Sequence, residues 1–221
     1  MDERWQRVQT TISAYERYAT DFAEKPDDRR WLRPLVDSFS ALLSPRSLVL
    51  DLGCASGRET VELQAAGLRV VGFDLTAAFL RIAQARYPSV GYLRGDALHL
   101  PLASQSLDGV WAMASLLHLA PGEAGSALAE VRRVLRPGGA FYSSLQIGSA
   151  VGMVAPQAGE AVQADRYYAF YEPEAWRARL ERAGFEVVRF DALELDPEQA
   201  SASCNLGARG WINAFARRPH G

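Results

Sequence analysis

The chain has 221 residues, 48% of them hydrophobic and 23% charged, with a formal net charge of −2. That is enough apolar material for a sizeable buried core, and the near-neutral balance gives no electrostatic case for nucleic acid or an anionic membrane surface. Two cysteines, Cys54 and Cys204, are too few for a disulfide scaffold or a zinc cluster; no apolar run approaches the roughly 20 residues of a membrane helix, and the charged start carries no apolar leader, so a cytoplasmic protein is expected.

Positions 9–24 are predicted to form an amphipathic helix, with Ile12, Tyr15, Tyr18, Ala19 and Phe22 near a 3.6-residue period. Glu24-Lys-Pro26-Asp27-Asp28 breaks it. A second helix places Trp31, Leu35, Phe39, Leu42 and Leu43 on one face and ends at Ser44-Pro45. The pattern then changes to a short apolar run, 47–52, of the kind buried in parallel sheets. A helix from Arg58 stops at Gly67, a natural C-cap. A second strand, 69–74, leads to Thr76, which can cap the next helix. A weaker third strand covers 90–93 and a fourth 107–113. A helix over 124–135 meets the turn Arg136-Pro-Gly-Gly139 and a fifth strand, 140–145. Strands alternating with helices imply right-handed crossovers and a parallel sheet covered on both faces. Near the end, a helix over 173–183 is followed by two strands, 185–193 and 211–216, with no helix between them, which suits an antiparallel pair at a sheet edge. The stretch 147–172 has no clear period and reads as a functional insert.

In an open α/β sheet, ligands sit at the carboxyl ends of the strands. The first strand ends in Asp51-Leu-Gly53-Cys54-Ala55-Ser-Gly57, whose small residues let the backbone approach a ligand. Asp74 closes the second strand, where a carboxylate can accept from both hydroxyls of a ribose. A dinucleotide would need Gly-x-Gly-x-x-Gly to place its pyrophosphate on a helix N-terminus. That spacing is absent, and Asp51 would repel a pyrophosphate but favour a cationic sulfonium and ammonium. The charge argument therefore prefers S-adenosylmethionine.

The run 49–57 resembles the first motif of class I S-adenosylmethionine-dependent methyltransferases. Gly72-Phe-Asp74-Leu75, Gly95-Asp96-Ala97, Leu107-Asp-Gly-Val-Trp, Glu130-Val-Arg-Arg-Val-Leu-Arg-Pro-Gly-Gly139 and Glu172-Pro-Glu-Ala-Trp176 resemble later motifs in the same order. The resemblance implies a doubly wound, mostly parallel seven-stranded α/β sheet of order 3-2-1-4-5-7-6, the last strand antiparallel, with helices on both faces. It implies one methyltransferase domain over 1–221, with 1–45 as a helical cap over the site and 147–172 as a substrate-side insert. Many members carry Gly where this chain has Ala55.

On that resemblance Asp74 binds the ribose, Leu75 packs on the adenine, and Asp96 accepts from the adenine amino group with Gly95 and Ala97 beside it. Asp51, Gly53, Cys54, Ala55 and Gly57 form the loop, and Met113, Ala114 and Ser115 border the methionine end and the methyl group. Tyr18 is the expected contact from the first helix and Arg33 the partner of the cofactor carboxylate. His118 is the candidate general base; a packing role for it stands beside that reading. No metal site is expected. The function implied is in-line methyl transfer to a small-molecule acceptor, on O or N, with S-adenosylhomocysteine as product. A methyltransferase-like protein that binds cofactor without catalysis and an NAD-dependent oxidoreductase are the other readings. Nucleic acid and membrane are not expected as partners, and a monomer or homodimer is.

Overall fold

The computed structural model describes residues 3–26, 29–157, 160–196, 200 and 208–220; Asp27, Asp28 and Cys204 lie outside them. Two helices, α1 (Glu3–Glu24) and α2 (Leu32–Ser40), precede an alternation of strand and helix. It runs β1 (Leu48–Leu52), α3 (Arg58–Ala65), β2 (Arg69–Asp74), α4 (Ala77–Arg86), β3 (Gly91–Arg94), β4 (Leu107–Met113), α5 (Pro121–Val134) and β5 (Leu135–Ile147). A small hairpin, β6 (Val151–Val154) and β7 (Arg166–Ala169), then α6 (Pro173–Arg182), β8 (Glu186–Glu194) and β9 (Gly210–Arg217) complete it. The main sheet has the order β3-β2-β1-β4-β5-β9-β8. β1 to β5 are parallel and β9 runs antiparallel to both its neighbours. With β6 and β7 set apart as their own sheet, this is the strand order the resemblance implied.

The central strands β1, β4 and β5 are apolar at successive positions because both faces of the sheet are covered there. Neighbouring residues point to opposite sides. Val49, Trp111, Tyr142 and Phe215 pack with Leu32, Val36 and Phe39 of α2 and Leu63 of α3. Leu50, Val110, Phe141 and Ala214 pack instead with Leu128 and Val131 of α5 and Trp176 and Leu180 of α6. Trp111 and Tyr142 stack at 3.8 Å between ring centroids, and Trp176 donates its indole N–H to Ser143 Oγ at 3.0 Å. The latter satisfies a polar group in a fully buried side chain.

The structure departs from the sequence reading in five places. α1 begins at Glu3, six residues early, because its first turn is tied down by Arg4 and Arg7. Trp31 lies just before α2 and is half exposed; Leu32, Val36 and Phe39 form the buried face. α5 starts at Pro121, where the fixed φ of proline suits the first helical position, and Glu123 accepts from the Ala120 N–H at 2.7 Å. Arg136 to Gly139 form a bulge within β5, between the pairs Leu107–Leu135 and Gly109–Ala140, and not a turn before it. Thr76 makes no side-chain cap on α4. The Ala77 and Ala78 N–H groups donate to the Glu16 carboxylate of α1 at 2.6 and 3.0 Å, so the cap is supplied across the fold.

Candidate functional site

β1, β2 and β4 end at one rim, and the loops leaving them line a cleft of about 1030 Å³. The β1 loop turns sharply: Gly53, Ala55 and Gly57 have φ of +85°, +45° and +82°. At Gly53 the requirement is twofold, since a Cβ there would also come within 2.3 Å of Ser115 Cβ. That close approach brings the β1 loop and the end of β4 together. Ala55 has no such freedom, yet it occupies the left-handed region, as does Ala114 at φ +48°. Both line the cleft, which is where strained backbone tends to collect.

The Asp74 carboxylate lies beneath this loop. Oδ2 accepts from the Ala55 N–H at 3.0 Å and Oδ1 from the Thr76 N–H at 2.8 Å. Burial pushes its pKa up, against those amide bonds. Each oxygen retains acceptor capacity, and Asp74 and Leu75 both line the cleft. Asp96 accepts from the Leu98 N–H at 3.0 Å, and its other oxygen meets Arg4 of α1 at 2.5 Å. Gly95, Asp96, Ala97, Met113, Ala114, Ser115 and His118 line the same cleft. Ser115 Oγ is buried with no hydrogen-bond partner among the described residues, which leaves a polar atom of a cleft-lining residue unsatisfied.

Five of the predicted residues are placed elsewhere. Asp51 is 2% exposed and accepts from Thr60 Oγ1 at 2.6 Å, with its pKa pushed well up by burial and then by Glu59. Its side chain turns under the loop, and Glu59 lines the cleft instead, paired with Arg29 at 2.8 Å. The Cys54 side chain is fully buried behind the loop, next to Gly72. Gly57 lies behind it too, against Tyr87 and Tyr92. Tyr18 sits where α1 leaves helical geometry (φ −109°, ψ 18°), which swings it off the cleft-facing stripe; Arg17 covers its ring at 5.4 Å. Arg33 points outward and pairs with Asp37 at 2.8 Å. Lys25, Arg29 and Arg58 line the cleft there.

The stripe of α1 that faces the cleft is Arg4, Val8, Thr11, Ile12, Tyr15 and Phe22. Tyr15 reaches His118: its hydroxyl lies 3.0 Å from Nε2. The other ring nitrogen, Nδ1, lies 2.7 Å from the Tyr167 carbonyl oxygen. A carbonyl only accepts, so Nδ1 carries the proton and Nε2 is the acceptor. Burial lowers the His118 pKa to about 4, with Arg166 adding to the effect, so the imidazole is neutral at pH 7. Arg166, 5% exposed, lies 5.7 Å from the Tyr15 ring and 5.4 Å from the Tyr168 ring, and its guanidinium pairs with Glu160. Tyr15 belonged to a visible aromatic stripe, but the sequence held no signal for Arg166, because β7 has all four residues buried and shows no alternation.

Residues 50–143 match a family described as a methyltransferase domain. A demethylmenaquinone methyltransferase of Renibacterium salmoninarum is 37% identical over 111 residues, 50% of this chain and 45% of that protein. An O-methyltransferase of Penicillium expansum is 32% identical over 172 residues, 72% of this chain and 58% of that one. The chain thus spans about half the length of these curated relatives. Among solved structures, a 1,6-didemethyltoxoflavin N1-methyltransferase of Burkholderia thailandensis with bound S-adenosylhomocysteine superposes with a TM-score of 0.74. It is 22% identical, with 99% of this chain and 92% of that one covered.

Proposed function

Over residues 50–143 the chain belongs to the methyltransferase domain family, and from that premise we propose that the protein transfers a methyl group from S-adenosylmethionine to a small-molecule acceptor. The observation that carries the proposal is the Asp74 carboxylate, held by the Ala55 and Thr76 amides under a loop of positive-φ residues and facing the cleft. A nucleoside with a free ribose diol fits that carboxylate, and the unpartnered Ser115 Oγ, packed beside Gly53, offers a polar contact to a chain laid along the loop.

In this reading Asp74 takes the ribose hydroxyls and Leu75 packs on the adenine. Asp96 takes the adenine amino group on the oxygen it shares with Arg4. Gly53, Ala55, Met113, Ala114 and Ser115 border the methionine arm, and Arg29 or Arg58, not Arg33, meets its carboxylate. α1 is the cap and the 147–172 segment the acceptor side. When bound, S-adenosylmethionine supplies an electrophilic methyl group on an already activated leaving group, so the chain's contribution is to position the acceptor and exclude water. A large cleft lined by Tyr15, Phe79, Trp31 and Tyr168 suits an acceptor with apolar surface.

Incubation with a methyl-labelled donor and a metabolite extract tests this. Label should move into an organic-soluble small molecule, and Asp74→Ala should abolish the transfer. Binding of S-adenosylhomocysteine without transfer to any acceptor would favour the non-catalytic reading.

A further inference from the structure

We propose that the acceptor group is the neutral, weakly acidic hydroxyl of a phenol or enol, and that Tyr15 takes its proton and relays it to His118. The inference rests on the methyltransferase reading and narrows its substrate class.

The Tyr167 carbonyl, 2.7 Å from His118 Nδ1, fixes the proton on that nitrogen. Nε2 then has only a lone pair, and Tyr15, 3.0 Å away, must donate its hydroxyl proton to it. The Tyr15 oxygen therefore presents lone pairs to the cleft it lines. A carboxylate or phenolate placed there would meet lone pair against lone pair; an acceptor group that brings its own proton would be bound.

Arg166 supplies the second constraint. It is 5% exposed, lines the cleft, and its Nε is buried without a hydrogen-bond partner among the described residues. The guanidinium lies against both the Tyr15 and the Tyr168 rings. A fixed cation repels an alkylammonium group and stabilises an oxygen that gains negative charge. Glu160 offsets part of this charge through its pairing with Arg166, so the site favours a group that is neutral on arrival over a permanent anion. The neutral, buried imidazole is a weak base, which an aliphatic alcohol would not satisfy; a phenol or enol, already acidic, would.

The step balances. An acceptor oxygen lone pair forms the new C–O bond while the methyl–sulfur bond breaks onto sulfur, leaving a thioether. The acceptor proton passes to Tyr15 Oη as the Tyr15 proton passes to His118 Nε2, so the positive charge lost from sulfur reappears on the imidazole. Tyr15 is the catalytic residue in this scheme and His118, acting through it, the positioning residue.

Two measurements decide the matter. The chain has three histidines, so nitrogen NMR of the histidine-labelled protein saturated with S-adenosylhomocysteine reads the His118 tautomer directly at pH 7. The proposal expects the Nδ1–H form, and Tyr15→Phe should shift the Nε2 resonance towards that of an unbonded nitrogen. An Nε2–H tautomer would overturn it, because Tyr15 would then point its proton at the cleft. The second is labelled-methyl transfer to substituted phenols, naphthols and cyclic 1,3-diketones against matched aryl carboxylates and arylalkylamines. Label in the hydroxyl compounds, with kcat at least tenfold lower in Tyr15→Phe and S-adenosylhomocysteine affinity unchanged, supports it. Label in the carboxylates or amines, or in none of the panel while S-adenosylhomocysteine still binds, overturns the acceptor class and leaves the cofactor reading intact. Failure of S-adenosylhomocysteine to bind would overturn the underlying reading instead.

Discussion

Alanine is a costly occupant of left-handed backbone, by about 1 kcal/mol or more, and Ala55 sits there at φ +45° over Asp74. Exchanging alanine for glycine ordinarily destabilises through the unfolded chain. At this position the two effects oppose, so Ala55→Gly should leave the melting temperature unchanged or raise it, as calorimetric unfolding would show. Asp74 gives the sharper residue-scale prediction. Two charge-assisted hydrogen bonds to a ribose are each worth about 1.5 to 3 kcal/mol, so Asp74→Ala should weaken S-adenosylhomocysteine binding by about 100-fold or more. Burial raises the Asp74 pKa in the free protein, while a ribose donating to the carboxylate favours the ionised form. Affinity should therefore fall as pH drops through that raised pKa, and Asp74→Asn should flatten the dependence. His118 shifts the other way. Its pKa of about 4 keeps it neutral across the range where a free histidine would titrate, so turnover should not fall as pH is lowered through 6.5. A rate that halves near pH 6.5 and tracks His118 would contradict the assignment.

Helix α1 joins parts of the fold that are far apart in sequence. Arg4 bonds Asp96 and Glu123, and Arg7 bonds Glu123. Thr11 accepts from the Tyr167 N–H at 2.9 Å, Tyr15 meets His118, and Glu16 caps α4. The helix thus connects the Asp96 side of the cleft to the hairpin side. Glu16→Ala removes a cap from two N–H groups of α4, which should cost about 1 kcal/mol and weaken cofactor binding with it, since α4 begins two residues beyond Leu75. Unfolding and S-adenosylhomocysteine titration of the same variant would show both effects. None of this was legible in the sequence beyond the amphipathic period of α1. The period identifies a face, but the partners of Arg4, Glu16 and Thr11 depend on how the helix is laid across the sheet. Tyr18 illustrates the limit: it shares the stripe by spacing, and a local break in helical geometry takes it away.

At the scale of the whole molecule, strand and helix order was readable because the central parallel strands β1, β4 and β5 are buried on both faces and so appear as apolar runs; β3, mostly exposed, gave the weaker signal. Val49 and Leu50, or Trp111 and Tyr142 against Val110 and Phe141, carry the apolar signal. The β6–β7 hairpin was not readable: β6 alternates only weakly and exposes Val151 and Met153, and β7 is buried throughout. At the site, Gly53, Asp74 and the end of β4 were legible because they sit where strands end at the cleft, and Asp96 was legible through the resemblance. Asp51 did not follow, because a carboxylate at the last turn of a strand can face either side of the loop, and Thr60 draws it inward.

Whether the cleft over Asp74 holds S-adenosylmethionine is decided by isothermal titration of the purified protein with S-adenosylhomocysteine, run beside NAD. Saturable one-site binding of S-adenosylhomocysteine is expected, lost in Asp74→Ala, with no comparable heat from NAD. Binding of NAD without S-adenosylhomocysteine, or S-adenosylhomocysteine affinity untouched by Asp74→Ala, would contradict it.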